Sequence, residues 1–142
     1  MRIFTVYFFM FMSFACGKDK ADPLTDFELN KNNWESLNIN SYTYSFQVSC
    51  YCPDETTSPK EVEVIDGEIV IVNNTPYNAE LHWGVLSITQ LFYVIEEAKI
   101  NKAWVIKAEY HKEKGHPVSV YIDQEEMIAD EEIGYYVSDL NY

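Results

Sequence analysis

The chain has little of what most enzymes use for chemistry. Its 142 residues contain three histidines, three cysteines and one arginine, Arg2. There is no G-x-S-x-G nucleophile elbow, no H-E-x-x-H zinc motif and no glycine-rich phosphate loop, so the common hydrolase, zinc-peptidase and nucleotide-binding signatures are missing. Positive charge is scarce too: ten basic residues stand against 23 acidic ones, a formal net charge of −13. Such a surface repels phosphate backbones, which excludes nucleic acid as a partner. It suits a soluble, non-aggregating exposed domain first, and cationic partners or divalent metals second. Long apolar runs are lacking as well, since Ile3 to Ala15 falls short of the roughly 20 residues that a membrane-spanning helix needs.

The N-terminus nevertheless carries an address. Basic Arg2, an apolar run from Ile3 to Phe14, small Ala15 and then Cys16 with a polar stretch have the layout of a secretory signal. Ser13-Phe14-Ala15-Cys16 resembles the loose lipobox of Bacteroidetes-type lipoproteins. That resemblance implies cleavage after Ala15 and acylation of Cys16 with palmitate-type chains. Two or three such chains hold a protein to a membrane essentially permanently. The expected organisation is thus a lipoprotein signal peptide over residues 1–15, a lipidated polar tether over 16–24 and one domain over 25–142. Lys18, Asp19 and Asp22 loosely resemble a surface-export signal. The expected location is the cell envelope, anchored by lipid in the outer membrane and facing the periplasm or the surface.

Periodicity outlines the domain. Asp26 or Thr25 can cap a helix with Phe27, Trp34 and Leu37 on its apolar side. From Tyr42 the period becomes two: Tyr42, Tyr44, Phe46, Val48, Cys50 and Cys52 share one face, with Thr43, Ser45, Gln47 and Ser49 on the other. Asp66-Gly67 is the expected pair for a type I′ hairpin turn, pairing Val64 with Ile69, Val62 with Ile71, Glu63 with Val70 and Ile65 with Glu68. Ser87-x-x-Gln90 has capping-box spacing ahead of a stripe of Ile88, Leu91, Phe92, Ile95 and Ala98. Trp104 to His111 and Pro117 to Asp123 flank a loop in which Gly115 supplies the left-handed residue, and a last strand runs from Gly134 to Leu140. Helix and three strands, then helix and three strands, suggest a pseudo-repeat. The expected class is α+β, an antiparallel sheet covered on one face by two helices.

Several of these features occur together in one family. Cys50-Tyr51-Cys52 at a strand end, the Asp66-Gly67 hairpin, Ser87-Ile88-Thr89 with Leu91-Phe92, Tyr110 before Gly115-His116-Pro117, and Ile122-Asp123 resemble a family of small bacterial envelope lipoproteins carrying a domain of unknown function. The resemblance implies a secreted, lipid-anchored α+β domain without an established activity. Where that family tends to have Tyr-Asp and Gly-Tyr-Pro, this chain has Tyr110-His111 and Gly115-His116-Pro117.

Three clusters invite chemistry. Cys50 and Cys52 are a disulfide candidate in an exported protein. Positions i and i+2 of a strand lie roughly 6.6 Å apart, near the upper limit for a bridge, so closure needs a bend there. A strained bridge of this kind could serve redox chemistry, and two free thiolates could bind metal. His111 and His116 border the second hairpin, close enough to share zinc or copper with Glu109 or Glu113 as a third ligand. Asp123, Glu125, Glu126, Asp130, Glu131 and Glu132 offer oxygen ligands without the glycine and spacing of a calcium loop. None of these dictates a metal, a cofactor or catalysis.

The leading expectation is a non-enzymatic interaction or structural module of the envelope. Its partners would be membrane lipid through acylated Cys16 and an envelope protein or ligand met by a sheet face, a hairpin loop or an edge strand. The alternatives are a thiol-redox or metal-handling lipoprotein using Cys50 and Cys52, and a small hydrolase using carboxylates.

Overall fold

A computed structural model describes residues 23–142. The signal, cleavage and lipidation readings centred on Cys16 lie outside the described residues. The order of elements is α1 (Pro23–Ser36), β1 (Tyr42–Ser49), α2 (Asp54–Thr57), β2 (Lys60–Ile65), β3 (Glu68–Val72), β4 (Thr75–Pro76), α3 (Ile88–Ile100), β5 (Val105–Tyr110), β6 (Pro117–Asp123) and β7 (Ile133–Asn141). All seven strands join one antiparallel sheet in the order β4-β3-β2-β1-β7-β6-β5. Mixed α+β architecture is therefore observed. The halves are not equivalent, because α2 and β4 occur only in the first.

Alternation in β1 divides the sheet into two surfaces. Tyr42, Tyr44, Phe46 and Val48 turn inward and are buried, joined by Val62 and Val64 of β2, Val120 and Ile122 of β6, and Tyr135 and Val137 of β7. Helix α3 packs on β5 and β6 and buries Ile88, Leu91, Phe92, Ile95 and Ala98, the stripe its sequence predicts. Its start is fixed by the expected capping box: Ser87 Oγ accepts from Gln90 N–H, while Gln90 Oε1 accepts from Ser87 N–H at 2.8 Å. From α1, Phe27 meets Phe92 edge-on at 6.0 Å and Trp34 meets Tyr42 at 5.6 Å. Aromatic contacts of this kind bring the low-propensity, asparagine-rich α1 into the common core.

Three expectations need correction, and one element was not expected. Helix α1 begins at Pro23, so Thr25 and Asp26 lie inside its first turn and do not cap it; it stops at Ser36, and Leu37 lies outside it, partly exposed, where Asn38 takes a left-handed φ of 51° that ends the helix. In the first hairpin Asp66 and Gly67 both have positive φ, as a type I′ turn requires, and Val64↔Ile69 and Ile65↔Glu68 pair as read. Beyond them a bulge shifts the register: Val62 pairs with Val72 and Glu63 with Ile71, leaving Val70 as the extra residue. The shift carries Val72, fully buried, into the core in place of Ile71. Thirdly, β1 ends at Ser49, so Cys50 and Cys52 leave the strand instead of continuing its buried face. Finally, α2 was not legible; it is held by buried Lys60, whose ammonium donates to the carbonyls of Glu55, Thr56 and Ser58 at 2.8–3.0 Å.

The second hairpin is locked onto α1. At Gly115, φ is +77°, and an added Cβ would stand 2.4 Å from the Asn30 carbonyl oxygen and 3.2 Å from Trp34 N. Only glycine satisfies both the left-handed backbone and this approach. Asn33 Nδ2 completes the dock by donating to the Glu113 carbonyl at 3.0 Å.

Candidate functional site

The outward-facing positions of the sheet are small and polar at its centre. Register places Ser45 of β1 opposite Ser138 of β7, Ser49 opposite Gly134, and Gln47 opposite Tyr136. Across β7 and β6, Gly134 pairs with Tyr121 and Tyr136 with Ser119. Short side chains leave the middle of this face low, and the two tyrosines stand above it.

A groove forms where this face meets the end of β1. Its floor is Gly134 and Ser49; a Cβ on Gly134 would lie 3.3 Å from Ser49 Cβ and 3.6 Å from the Tyr136 ring, so the missing side chain is what keeps the recess open. Tyr51, Tyr121 and Tyr136 form the walls, with Asp130 and Glu132 beside them, around a cavity volume of about 420 Å³. Tyr51 is 85% exposed and Tyr136 47% exposed. The Tyr121 phenol is held above the usual tyrosine pKa by partial desolvation and by the negative charge of Asp123 and Glu132. Lys107, its register partner on β5, lies with Nζ 5.6 Å from the Tyr121 ring centroid. Among the described residues, neither Asp130 nor Glu132 forms an ion pair. The groove therefore combines π faces with negative charge.

The disulfide candidate borders it. Beyond Ser49 the backbone bends, bringing the Cα atoms of Cys50 and Cys52 to 5.2 Å, shorter than a continuing strand allows, and the sulfurs are bonded. Cys50 packs partly against the core and lines the groove, whereas Tyr51 between the two cysteines projects outward. The bridge thus fixes the small loop that presents Tyr51.

His111 and His116 also come together, with ring centroids 5.0 Å apart and planes inclined by only 20°. Nitrogen lone pairs lie in the ring planes, so stacking points them side by side and not toward a common metal. His111 Nδ1 is already occupied, accepting from the N–H groups of Glu113 and Lys114 at 3.2 Å, and His116 Nδ1 is buried without a hydrogen-bond partner. Burial, then His111 and Lys114 nearby, lowers the His116 pKa from 6.5 to about 4. Trp34 covers this ring edge-on at 5.7 Å. Glu109 stands on the opposite, outward face of β5, across from Ser119. The acidic segment does not converge either, since Glu131 spends a carboxylate oxygen on the Glu125 N–H. Among the described residues, no three His, Cys, Asp or Glu side chains are grouped to hold a metal.

Sequence reasoning singled out Cys50 and Cys52 but passed over Gly134, Tyr121 and Tyr136. Their signal was present in the strand phase. In β6 the apolar Val120 and Ile122 set the buried phase, and in β7 Tyr135 and Val137 do so, leaving Tyr121 and Tyr136 as aromatics on the outward phase.

The chain belongs to a family of unknown function (DUF6174), whose model matches residues 26–142. No curated protein and no solved structure matches it.

Proposed function

We propose that this protein is a lipid-anchored module of the bacterial cell envelope that acts by binding another envelope component and not by catalysis. In this reading residues 1–15 are a lipoprotein signal, and acylated Cys16 with the polar segment after it holds the working domain to the membrane; the expected tether 16–24 is shortened, because α1 already begins at Pro23. Its family is then one of envelope lipoproteins. Helices α1 and α3 close one face of the sheet, as the two helices of a helix-plus-three-strands repeat would, and the other face is left for a partner. The observation that carries the reading is the outward face itself: a low serine-rich surface ending in a tyrosine groove, which only the short α2 approaches, where Gln47 donates to the Thr57 carbonyl at 3.1 Å. Large amphipathic rings on a rigid sheet bind with little loss of conformational entropy.

Crosslinking the native protein in intact cells tests this, with Cys16→Ala as the mislocalised control. A discrete envelope partner that disappears in the control is the expected result. Adducts that persist unchanged when Cys16 is replaced would remove the anchoring part of the reading.

A second reading, thiol-redox work at Cys50 and Cys52, draws support from their position beside an open groove. The reduction potential separates the two. A value below about −300 mV belongs to a structural bridge, whereas a value near those of disulfide oxidoreductases favours redox function.

A further inference from the structure

We infer that the groove between Tyr51 and Tyr136 receives a lysine side chain from a basic segment of a partner polypeptide. This deepens the binding reading above and rests on it.

Three observations converge on that chemistry. First, the walls are phenol rings, whose faces attract cations, most strongly where water is partly excluded. Tyr121 already shows the preference within the molecule, because the Lys107 ammonium lies 5.6 Å from its ring centroid. The rings left for an incoming cation are those of Tyr51 and Tyr136, both substantially exposed. Second, Asp130 and Glu132 line the same recess, and among the described residues neither is engaged in an ion pair. No described cation stands within ion-pairing distance of either carboxylate, and the chain as a whole carries −13. An acidic protein of this kind steers basic partners toward it before contact. Third, the recess has room for an aliphatic stem. Its volume is about 420 Å³, and Gly134 in its lining contributes no side chain to fill it. Lysine buries its stem on such a surface and keeps its charged end in polar surroundings.

The site also defines how the partner lies. It sits on the interior strands β1, β7 and β6, whose backbone groups are already paired within the sheet. A partner segment therefore crosses the face through its side chains and adds no strand there.

The test uses the full-length protein in detergent and a tetralysine peptide blocked at both ends, with its Nε-acetylated form as the control of equal length. Binding is followed by the anisotropy of a dye on the peptide. The parent binds tetralysine and loses at least about tenfold in affinity for the acetylated peptide, which has no charge to place on the rings. Tyr136→Ala and Glu132→Gln each weaken tetralysine binding by about three- to fivefold, the size of one exposed cation–π or carboxylate contact. Glu63→Gln, an equal change of charge at a distant point of the same face, leaves it unchanged. Equal losses from Glu63→Gln and Glu132→Gln would reduce the effect to diffuse attraction and overturn the proposal, as would equal binding of the acetylated peptide. The two readings separate in cells. If the crosslinked partner is retained by a Tyr136→Ala, Glu132→Gln double variant, the groove assignment falls and the binding module stands. If the peptide binds selectively through the groove but no envelope partner is captured, the module reading falls instead.

Discussion

Strand β1 sends Tyr42, Tyr44, Phe46 and Val48 to one side of the sheet, none more than 5% exposed, and Thr43, Ser45, Gln47 and Ser49 to the other. The same eight residues thus serve two surfaces with different physics. On the covered side, aromatic rings contact one another and the helices in series: Trp34 with Tyr42, Tyr42 with Tyr44, Tyr44 with Phe46, and Phe46 with Tyr135. Even their hydroxyls are used there, since Tyr42 Oη accepts from the Ile88 N–H and Tyr44 Oη donates to the Leu86 carbonyl, tying the sheet to the start of α3. Burial accordingly raises the pKa of both phenols. On the open side, tyrosines stand apart above serines and glycine. Aromatic content alone cannot tell a core from a binding surface; the phase of the strand can.

Substitutions on either side of β1 should break this comparison most sharply. Phe46→Ala removes a fully buried ring and should cost about 3–5 kcal/mol in urea unfolding, whereas Ser45→Ala, one residue away on the outward phase, should change stability by about 0.5 kcal/mol or less. Similar losses from both would show that the open face is packed against something.

The histidine stack gives the next effect, through pH. The unfolded chain takes a proton on His116 below about 6.5, but the folded chain only below about 4, because burial disfavours the charged ring. Between those values the unfolded state binds more protons, so stability falls as pH drops from about 6.5 to about 4, by on the order of 3 kcal/mol. His116→Leu should flatten that part of the pH profile of the unfolding free energy. An unchanged slope would assign it to other groups.

Gly115→Ala tests the dock of the second hairpin on α1. Placing a Cβ against the Asn30 carbonyl in a left-handed backbone should destabilise by about 2 kcal/mol, read as a lower unfolding midpoint. Smallest is the disulfide. A three-residue loop constrains the unfolded chain little, and the double change Cys50→Ala, Cys52→Ala should cost no more than about 1.6 kcal/mol. Its larger consequence should be on Tyr51, whose position the bridge fixes, and hence on the groove.

Much of the covered side was legible in the sequence. The inward phase of β1, the capping box of α3 with its apolar stripe, and the Asp66-Gly67 turn each rest on local chemistry that few alternatives satisfy. What stayed hidden depends on contacts distant in sequence. The bulge at Val70 is decided by whether Ile71 or Val72 fills the core opposite Val62. Helix α2 depends on Lys60 folding back over its carbonyls, and Gly115 is constrained by α1, more than 80 residues earlier for Asn30. The groove was hidden for the same reason. Gly134, Tyr136, Tyr121 and Tyr51 come from three separate segments, and only the strand order β1-β7-β6 brings them side by side.

The most direct test of the contrast between the faces is photo-crosslinking in intact cells from two positions: Ser119, on the open face beside Tyr136, and Leu29, exposed on α1. A discrete adduct from Ser119 and none from Leu29 is the predicted result. An adduct from Leu29 alone, or no adduct from either position, would contradict the assignment of the open face as the working surface.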